Sequence, residues 1–203
     1  MLLNPTVDER QNIFVTFKGE SFFWLAVVAG GFLGVMIGHW ISRQKPVQKQ
    51  TTEKSSSKST LYLNAAIAII GSVLIAQFFI GIVAQDFRIS DSKLGSVMAQ
   101  PSTGQIIFAV LIAFGMAAFL VKLFLDASYI WPVISSTFTT ILACTIYVKK
   151  DILQYLISHY PAVFFSNAVV SILPIQMVAL GAIGSVAGYW LAIRFNYWRK
   201  YGI

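Results

Sequence analysis

The sequence predicts an all-α fold: a polytopic transmembrane helical bundle of about five spans, with a short amphipathic helix at the membrane interface. Of the 203 residues, 57% are hydrophobic and only 11% are charged, whereas a soluble domain has about 25% charged residues. The apolar residues are gathered in runs of about 20, which is the length that crosses a bilayer. Polar and basic segments separate these runs, as loops on either side of a membrane do.

Five apolar runs are predicted to cross the membrane. The first four occupy 22–41, 61–84, 104–125 and 129–148. The fifth covers 162–194, which is longer than one straight span, and it contains Pro174. Because proline removes a backbone donor and clashes with the preceding turn, we expect one long helix that is kinked at this residue. The alternative is two segments that meet near Pro174 and give six spans or a re-entrant hairpin.

The segments between the first three spans are polar but differ in composition. Residues 1–21 form a polar amino-terminal segment of mixed charge. Residues 42–60 contain one acidic residue and five basic ones, which is typical of a flexible basic loop. The basic residues are Arg43, Lys45, Lys49, Lys54 and Lys58. Residues 85–103 include several apolar side chains, so we expect this loop to pack as a small cap.

The remaining connections predict a tight helical hairpin and an interfacial helix. Only three residues, 126–128, join the third and fourth spans, so these two spans should be antiparallel neighbours. Lys122 and Asp126 lie four residues apart there and are expected to pair. In residues 150–160, Ile152, Leu156 and Tyr160 share one helical face, which is typical of a helix that lies in the membrane interface. Residues 195–203 form the tail.

The distribution of Lys and Arg predicts the orientation. Five spans place six of these residues on the side of the amino-terminal segment: Arg10, Lys18, Arg88, Lys93, Lys149 and Lys150. They place nine on the other side: Arg43, Lys45, Lys49, Lys54, Lys58, Lys122, Arg194, Arg199 and Lys200. Because cytoplasmic loops carry the excess of positive charge, we expect the amino terminus outside and the carboxyl terminus in the cytoplasm.

Tryptophans support five spans, and the loop composition indicates the membrane. Four of the five tryptophans fall at the predicted inner ends of spans, where an aromatic belt is expected. They are Trp40, Trp131, Trp190 and Trp198. The Ser-, Lys- and Gln-rich loop and the lack of an obvious sorting motif favour a bacterial inner membrane. The net charge of +7 is explained by this loop asymmetry, so no nucleic-acid partner is predicted.

Two spans carry small residues at helical spacing. In the first span these are Ala26, Gly30, Gly34 and Gly38; in the fifth they are Gly181, Gly184 and Gly188. Small residues on one helical face let another helix approach closely inside a membrane. The sequence predicts helix packing at both faces and leaves the partner open. The alternatives are that the two faces contact each other, a second copy of the chain or another membrane protein.

Polar side chains inside the spans have two interpretations. Ser136 and Thr140 lie on one stripe of the fourth span, and Gln77 and Gln176 are the polar residues placed nearest mid-depth. These four side chains would line a polar path for a solute, or they would form hydrogen bonds that hold helices together. No charged residue is placed at mid-depth, which argues against an autonomous ion or proton pump.

No constellation of residues predicts catalysis, a metal site or a cofactor. The two histidines, His39 and His159, are placed at opposite faces of the membrane, about 30 Å apart, so they cannot share a ligand within one chain. Cys144 is the only cysteine. The sequence therefore favours a non-enzymatic membrane protein that acts by helix-mediated assembly, as a homo-oligomer or as an accessory subunit of a membrane complex.

Two other functions are less favoured. The alternative is a small transporter or channel subunit with its path along the fourth span, and a lipid-acting enzyme is the least favoured of the three. The expected partners are membrane lipids and another copy of the chain or another membrane protein. A cytoplasmic protein is a further expected partner at the 42–60 loop or at the carboxyl-terminal tail.

Overall fold

The predicted all-α transmembrane bundle is confirmed. The structure is a computed structural model that describes residues 6–42, 58–85, 88–98 and 100–202. Within that part of the chain, five helices are long and apolar enough to cross a membrane, and a sixth helix is short. The helices are α1 (Val7–Ser42), α2 (Lys58–Val83), α3 (Thr103–Leu125), α4 (Ile130–Tyr147), α5 (Lys150–His159) and α6 (Pro174–Tyr201).

Helix α3 forms the centre of the bundle. It packs most extensively against α6 and next against α2, while α4 contacts α1, α2 and α6. One face of α3 carries alanine at every fourth position, Ala109, Ala113 and Ala117, and all three are fully buried. Small side chains on this face let the neighbouring helices approach closely.

Helix α1 extends well beyond the predicted first span. It begins at Val7, so most of the polar 1–21 segment is helical. A capping box starts the helix, because the Glu9 carboxylate accepts a hydrogen bond from Thr6 N at 2.8 Å and Thr6 Oγ1 accepts one from Glu9 N at 3.3 Å. Its 36 residues span about 54 Å at 1.5 Å per residue, whereas a hydrocarbon core is about 30 Å thick. One end must therefore project beyond the membrane.

The amino-terminal half of α1 is attached to the rest of the molecule. Arg10, Phe14 and Ser21 are buried on one face of it. Helix α5 packs against the same half, and Lys150 of α5 lies 3.4 Å from the Asp8 carboxylate. The predicted 42–60 loop begins where α1 ends, but its residues 43–57 lie outside the described residues, and α2 starts at Lys58.

The 85–103 loop contains a β-hairpin. Strands β1 (Arg88–Asp91) and β2 (Gly95–Met98) pair antiparallel, with Asp91 opposite Gly95. Gly95 has a φ of 72°, which a glycine adopts without steric cost at the end of a three-residue hairpin turn. Val97 is fully buried. The loop therefore closes one end of the bundle with a hairpin.

The prediction of one helix kinked at Pro174 over 162–194 is wrong. Helix α6 begins at Pro174 itself, because the fixed φ and missing N–H of proline suit the first turn of a helix. Residues 161–173 are irregular apart from a 3₁₀ turn at Ala168–Ser171. They do not form a sixth span either. The apolar segment before Pro174 packs instead under the hairpin end of the bundle, with Ala168, Val169 and Val170 buried.

The short amphipathic helix is present as α5. Its buried side chains are Leu153 and Leu156, whereas Ile152 is partly exposed. The buried face is therefore turned by one residue from the predicted one. Helix α5 lies at the same end of the bundle as the hairpin and the amino-terminal half of α1, and together these elements form a cap at that end.

Candidate functional site

The glycine face of α6 is filled by α3. An added Cβ at Gly184 would lie 2.6 Å from the carbonyl oxygen of Leu111, and one at Gly188 would overlap the carbonyl oxygen of Gly115. At Gly181 it would lie 3.0 Å from the Cβ of Ser136 on α4. Backbone thus meets backbone at the α3–α6 crossing, which only glycine permits. These three glycines therefore pack inside the bundle and are not available to another chain.

The glycine face of α1 is open. A Cβ built at Gly30, Gly34 or Gly38 has no heavy atom within 4 Å, and Ala26 is exposed. Only 6% of the most apolar stretch of α1 is buried, against 44% for α3 and for α6. The four small residues that were predicted to pack therefore have no partner helix among the described residues of this chain.

The opposite face of the same half of α1 contacts the bundle. Phe32 lies 5.7 Å from Tyr129, measured between ring centroids. Phe32 is two residues from Gly30 and from Gly34, and a two-residue step turns the helix by about 200°. The glycines therefore point away from the bundle. Residues 22–42 contain no Asp, Glu, Lys or Arg, so the open face is uncharged and flat.

The four residues of the predicted polar path lie on three helices, α2, α4 and α6. Ser136 Oγ donates to the carbonyl of Val133 at 2.6 Å, and Thr140 Oγ1 donates to that of Ser136 at 3.3 Å. Both side chains are buried. Gln176 accepts a hydrogen bond from Leu173 N in the first turn of α6, which places it at a helix end rather than at mid-depth. Gln77 is on α2, where its Nε2 atom is buried without a partner among the described residues.

Asp91 connects the hairpin to α5 in the cap. Tyr155 donates from its hydroxyl group to Asp91 Oδ2 at 2.8 Å, and Lys93 N and Leu94 N donate to Oδ1 at 2.8 and 3.1 Å. The hydrogen bond from Tyr155 and those from the backbone hold the pKa of Asp91 below its ordinary value. The same bond raises the pKa of Tyr155. Both carboxylate oxygens of Asp91 therefore accept hydrogen bonds within the cap.

Arg10 is the most buried charged residue of the cap. It is 2% exposed, its Nη1 donates to the carbonyl of Val163 at 3.4 Å, and its guanidinium lies 4.6 Å from the ring centroid of Phe164. Its Nε has no hydrogen-bond partner among the described residues. A buried guanidinium on an aromatic face is held by a cation–π interaction, so Arg10 fastens α1 to the irregular segment before α6.

Lys122, Asp126 and His159 each contact a neighbouring side chain. Lys122 and Asp126 pair at the end of α3, as predicted for the tight hairpin. His159 stacks on Tyr155 with 4.1 Å between ring centroids, and His39 lies near the far end of α1. Over the described ranges, no three His, Cys, Asp or Glu side chains are grouped in a way that could hold a metal ion.

Comparison with known proteins adds no relative. No protein-family model, curated protein or solved structure matches the chain. The candidate site therefore stands on its geometry alone. That site is the open face of α1 at Ala26, Gly30, Gly34 and Gly38.

Sequence reasoning missed two features of the site. The partner of the α6 glycines is α3, which meets them at Leu111 and Gly115, and its signal was the glycine at position 115 inside an apolar run. The attachment of α1 was missed because residues 1–21 are polar. Their signal was the spacing of Arg10, Phe14, Phe17 and Ser21, which places all four on one helical face.

Proposed function

We propose that this integral membrane protein is a non-enzymatic assembly subunit, and that the open face of α1 docks a transmembrane helix of another chain. Gly30, Gly34 and Gly38 would supply the flat surface, and the docked helix would approach to backbone distance. The observation that carries this proposal is the empty space at all three glycines, on a helix that touches the bundle with its opposite face.

Physical chemistry favours covering such a face. In lipid, apolar surface alone does not drive helices together, and association depends on close packing at small residues. Glycine inside a helix lowers stability by roughly 0.5–1 kcal/mol relative to alanine. The α1 glycines make no compensating contact within the described chain. The docked helix would supply those contacts, as α3 does for α6.

Replacing Gly34 by leucine tests the proposal. A leucine would hold the partner helix away, so we expect Gly34→Leu to weaken association at least about tenfold, or about 1.4 kcal/mol. The measurement is sedimentation of the purified protein in mild detergent. Gly81→Leu on α2 is the matched control, because Gly81 also has nothing within 4 Å but is not part of a small-residue face.

Crosslinking identifies the partner. Cys144 is the only cysteine, so Gly38→Cys in a Cys144→Ser background places one thiol on the α1 face. A product of twice the chain mass indicates a second copy, and a product of another mass indicates a different membrane protein. If Gly34→Leu and Gly81→Leu associate as the unaltered chain does, or if the chain is monomeric and forms no crosslink in native membranes, the assembly function is wrong.

The two other functions receive less support. A transporter path along α4 would need accessible hydroxyls, whereas Ser136 and Thr140 are buried and bonded to carbonyls of their own helix. A lipid-acting enzyme would need converging acids, bases or nucleophiles. Asp91 in the cap is committed to Tyr155 and to its own hairpin turn, which leaves it poorly placed for that role.

We further propose a bacterial inner-membrane location with the cap outside and the carboxyl-terminal tail in the cytoplasm. The excess of Lys and Arg on the tail side supports this orientation. Single cysteines at Ser158 on α5 and at Ser128 before α4, in the Cys144→Ser background, test it with a membrane-impermeant thiol reagent on intact cells. We expect labelling at position 158 and protection at position 128; the reverse pattern contradicts the proposal.

A further inference from the structure

A cavity of about 600 Å³ opens where α4 ends, between the hairpin, α5 and the segment before α6. Arg88 and Lys93 of the hairpin line it on one side, and Tyr147, Ser166 and Asn167 line it on the other. None of its described lining residues is Asp or Glu. The described lining of the cavity therefore combines two cations with polar groups and includes no acidic side chain.

The cations of this cavity lack carboxylate partners. Neither Arg88 nor Lys93 forms a salt bridge in the described part of the chain. Asp91, the acid at the turn of the hairpin, is held by Tyr155 and by two backbone N–H groups. Lys93 Nζ lies 5.3 Å from the ring centroid of Tyr155. No described carboxylate therefore competes with an incoming anion for these two charges.

The opposite wall of the cavity adds one hydrogen-bond donor and one acceptor. Asn167 Oδ1 accepts a hydrogen bond from Val169 N at 2.9 Å, which leaves its amide nitrogen to donate. Ser166 Oγ donates to the carbonyl of Tyr147 at 2.8 Å and keeps its lone pairs for water or a ligand hydroxyl. A phosphate oxygen is the acceptor that suits cations and an amide donor together.

An apolar groove reaches the same end of α4 as the cavity. It has a volume of about 420 Å³ and runs between α2 and α4, where Ile70, Leu74, Phe138, Leu142 and Thr145 line it. Thr145 of the groove and Ile146 of the cavity are consecutive on α4. The Thr145 hydroxyl donates to the carbonyl of Ile141 at 2.7 Å, so its hydrogen needs no acceptor in the groove.

We infer that the cavity and the groove together bind one anionic phospholipid, with its phosphate group between Arg88 and Lys93 and one acyl chain between α2 and α4. The end of a transmembrane helix lies at the depth of lipid head groups, and basic pockets at such positions suit anionic lipids. The site is on the cap and the α2–α4 side, so it is independent of the open α1 face.

Lipid titration of the purified chain in detergent, read by native mass spectrometry, tests this inference. The probes are dioleoyl phosphatidylglycerol, dioleoyl phosphatidylcholine and glycerol phosphate. We expect one phosphatidylglycerol per chain, bound more tightly than either of the other probes. Arg88→Gln with Lys93→Gln should weaken it about 25-fold, since each basic residue contributes roughly fivefold. Arg199→Gln with Lys200→Gln removes two charges at the other end and should change it less than about twofold.

A second variant tests the contribution of the acyl chain separately from that of the head group, and it does not alter the hairpin. Leu142→Trp fills the groove, so it should weaken binding of dioleoyl phosphatidylglycerol but not of the dihexanoyl form. Equal affinity for the two dioleoyl lipids, or equal losses in the two double variants, overturns the inference. Binding of glycerol phosphate as tightly as the whole lipid also overturns it, because the cavity would then take a free phosphate. If Leu142→Trp binds dioleoyl phosphatidylglycerol as tightly as the unaltered protein does, the groove is excluded as the acyl-chain site.

Discussion

Helices α1 and α6 both carry small residues along one face, and their surroundings differ completely. Gly184 and Gly188 on α6 touch the backbone of α3, whereas Gly30, Gly34 and Gly38 on α1 touch nothing within 4 Å. Spacing alone therefore specifies only the capacity for close approach. A small-residue face is covered only where another helix presents a matching surface. Within the described chain, α3 presents one such surface, at Leu111 and Gly115.

The two helices are also held in different ways. Helix α6 is buried along most of its length by α3 and α4, while α1 is fastened mainly through its amino-terminal half. Arg10 and Phe14 are buried there, and Thr137 Oγ1 of α4 donates to the carbonyl of Ser21 at 3.3 Å. Beyond Ser21, α1 stands beside the bundle with its glycines outward. The proposed docking surface is thus on the least embedded of the five spans.

The largest expected effect follows from substituting alanine on each face. Gly188→Ala would force the α3 and α6 backbones apart and should destabilise the folded chain by about 3 kcal/mol or more. Gly34→Ala should leave stability unchanged or raise it by up to about 1 kcal/mol, because alanine is the better helix former and space is available. Unfolding in mixed micelles measures both. Similar losses at the two positions in the monomeric chain would show that the α1 face is packed against a helix of its own chain.

A smaller effect is expected at the attachment of α1. Arg10→Ala removes the cation–π contact and the packing of the side-chain stem, so it should weaken the local attachment by about 2 kcal/mol. Amides in residues 7–20 should then exchange hydrogen about 30-fold faster. Arg10→Met keeps the apolar packing and should cost less than about 1 kcal/mol. Exchange that rises equally in α3 and α6 would contradict a role confined to α1.

The smallest effect concerns pH and the cap. Because the folded-state pKa of Asp91 is below its ordinary value, its contribution to stability is complete above pH 3.8 and is lost as the pH falls through the lowered value. A ¹³C titration of the Asp91 carboxyl should give a midpoint below 3.8. The midpoint should move upward in Tyr155→Phe and stay in place in Tyr147→Phe. An identical midpoint in all three proteins would remove the hydrogen bond from Tyr155 as the cause.

The sequence predicts the central helices almost to the residue. The predicted 104–125 and 129–148 spans correspond to Thr103–Leu125 and Ile130–Tyr147, because each is an apolar run with polar residues at both ends. Helix α1 continues on the amino-terminal side of the predicted first span, 22–41, through residues whose composition is polar. The Thr6–Glu9 capping box and the stripe from Arg10 to Ser21 are the sequence features that indicate this extension.

Two other features depend on tertiary structure. Pro174 is compatible with a kink or with a helix start, and the burial of Ala168 to Ser171 beneath the cap favours the start. The open α1 face could not be distinguished from the covered α6 face, because both satisfy the same spacing rule. The lipid cavity joins Arg88, Tyr147 and Asn167 from three separate segments, so no local pattern in the sequence indicates it.

The position of α6 in the chain has a consequence for biogenesis. Its partner α3 is synthesised earlier, and α4, α5 and the irregular segment before Pro174 are made between them. At about 5–20 residues per second, the α3 face at Leu111 and Gly115 spends several seconds in the bilayer before α6 arrives. During that interval this face lacks the helix that packs against it in the folded chain. A chaperone or insertase that shields a small-residue helix would protect this protein at that stage of its synthesis.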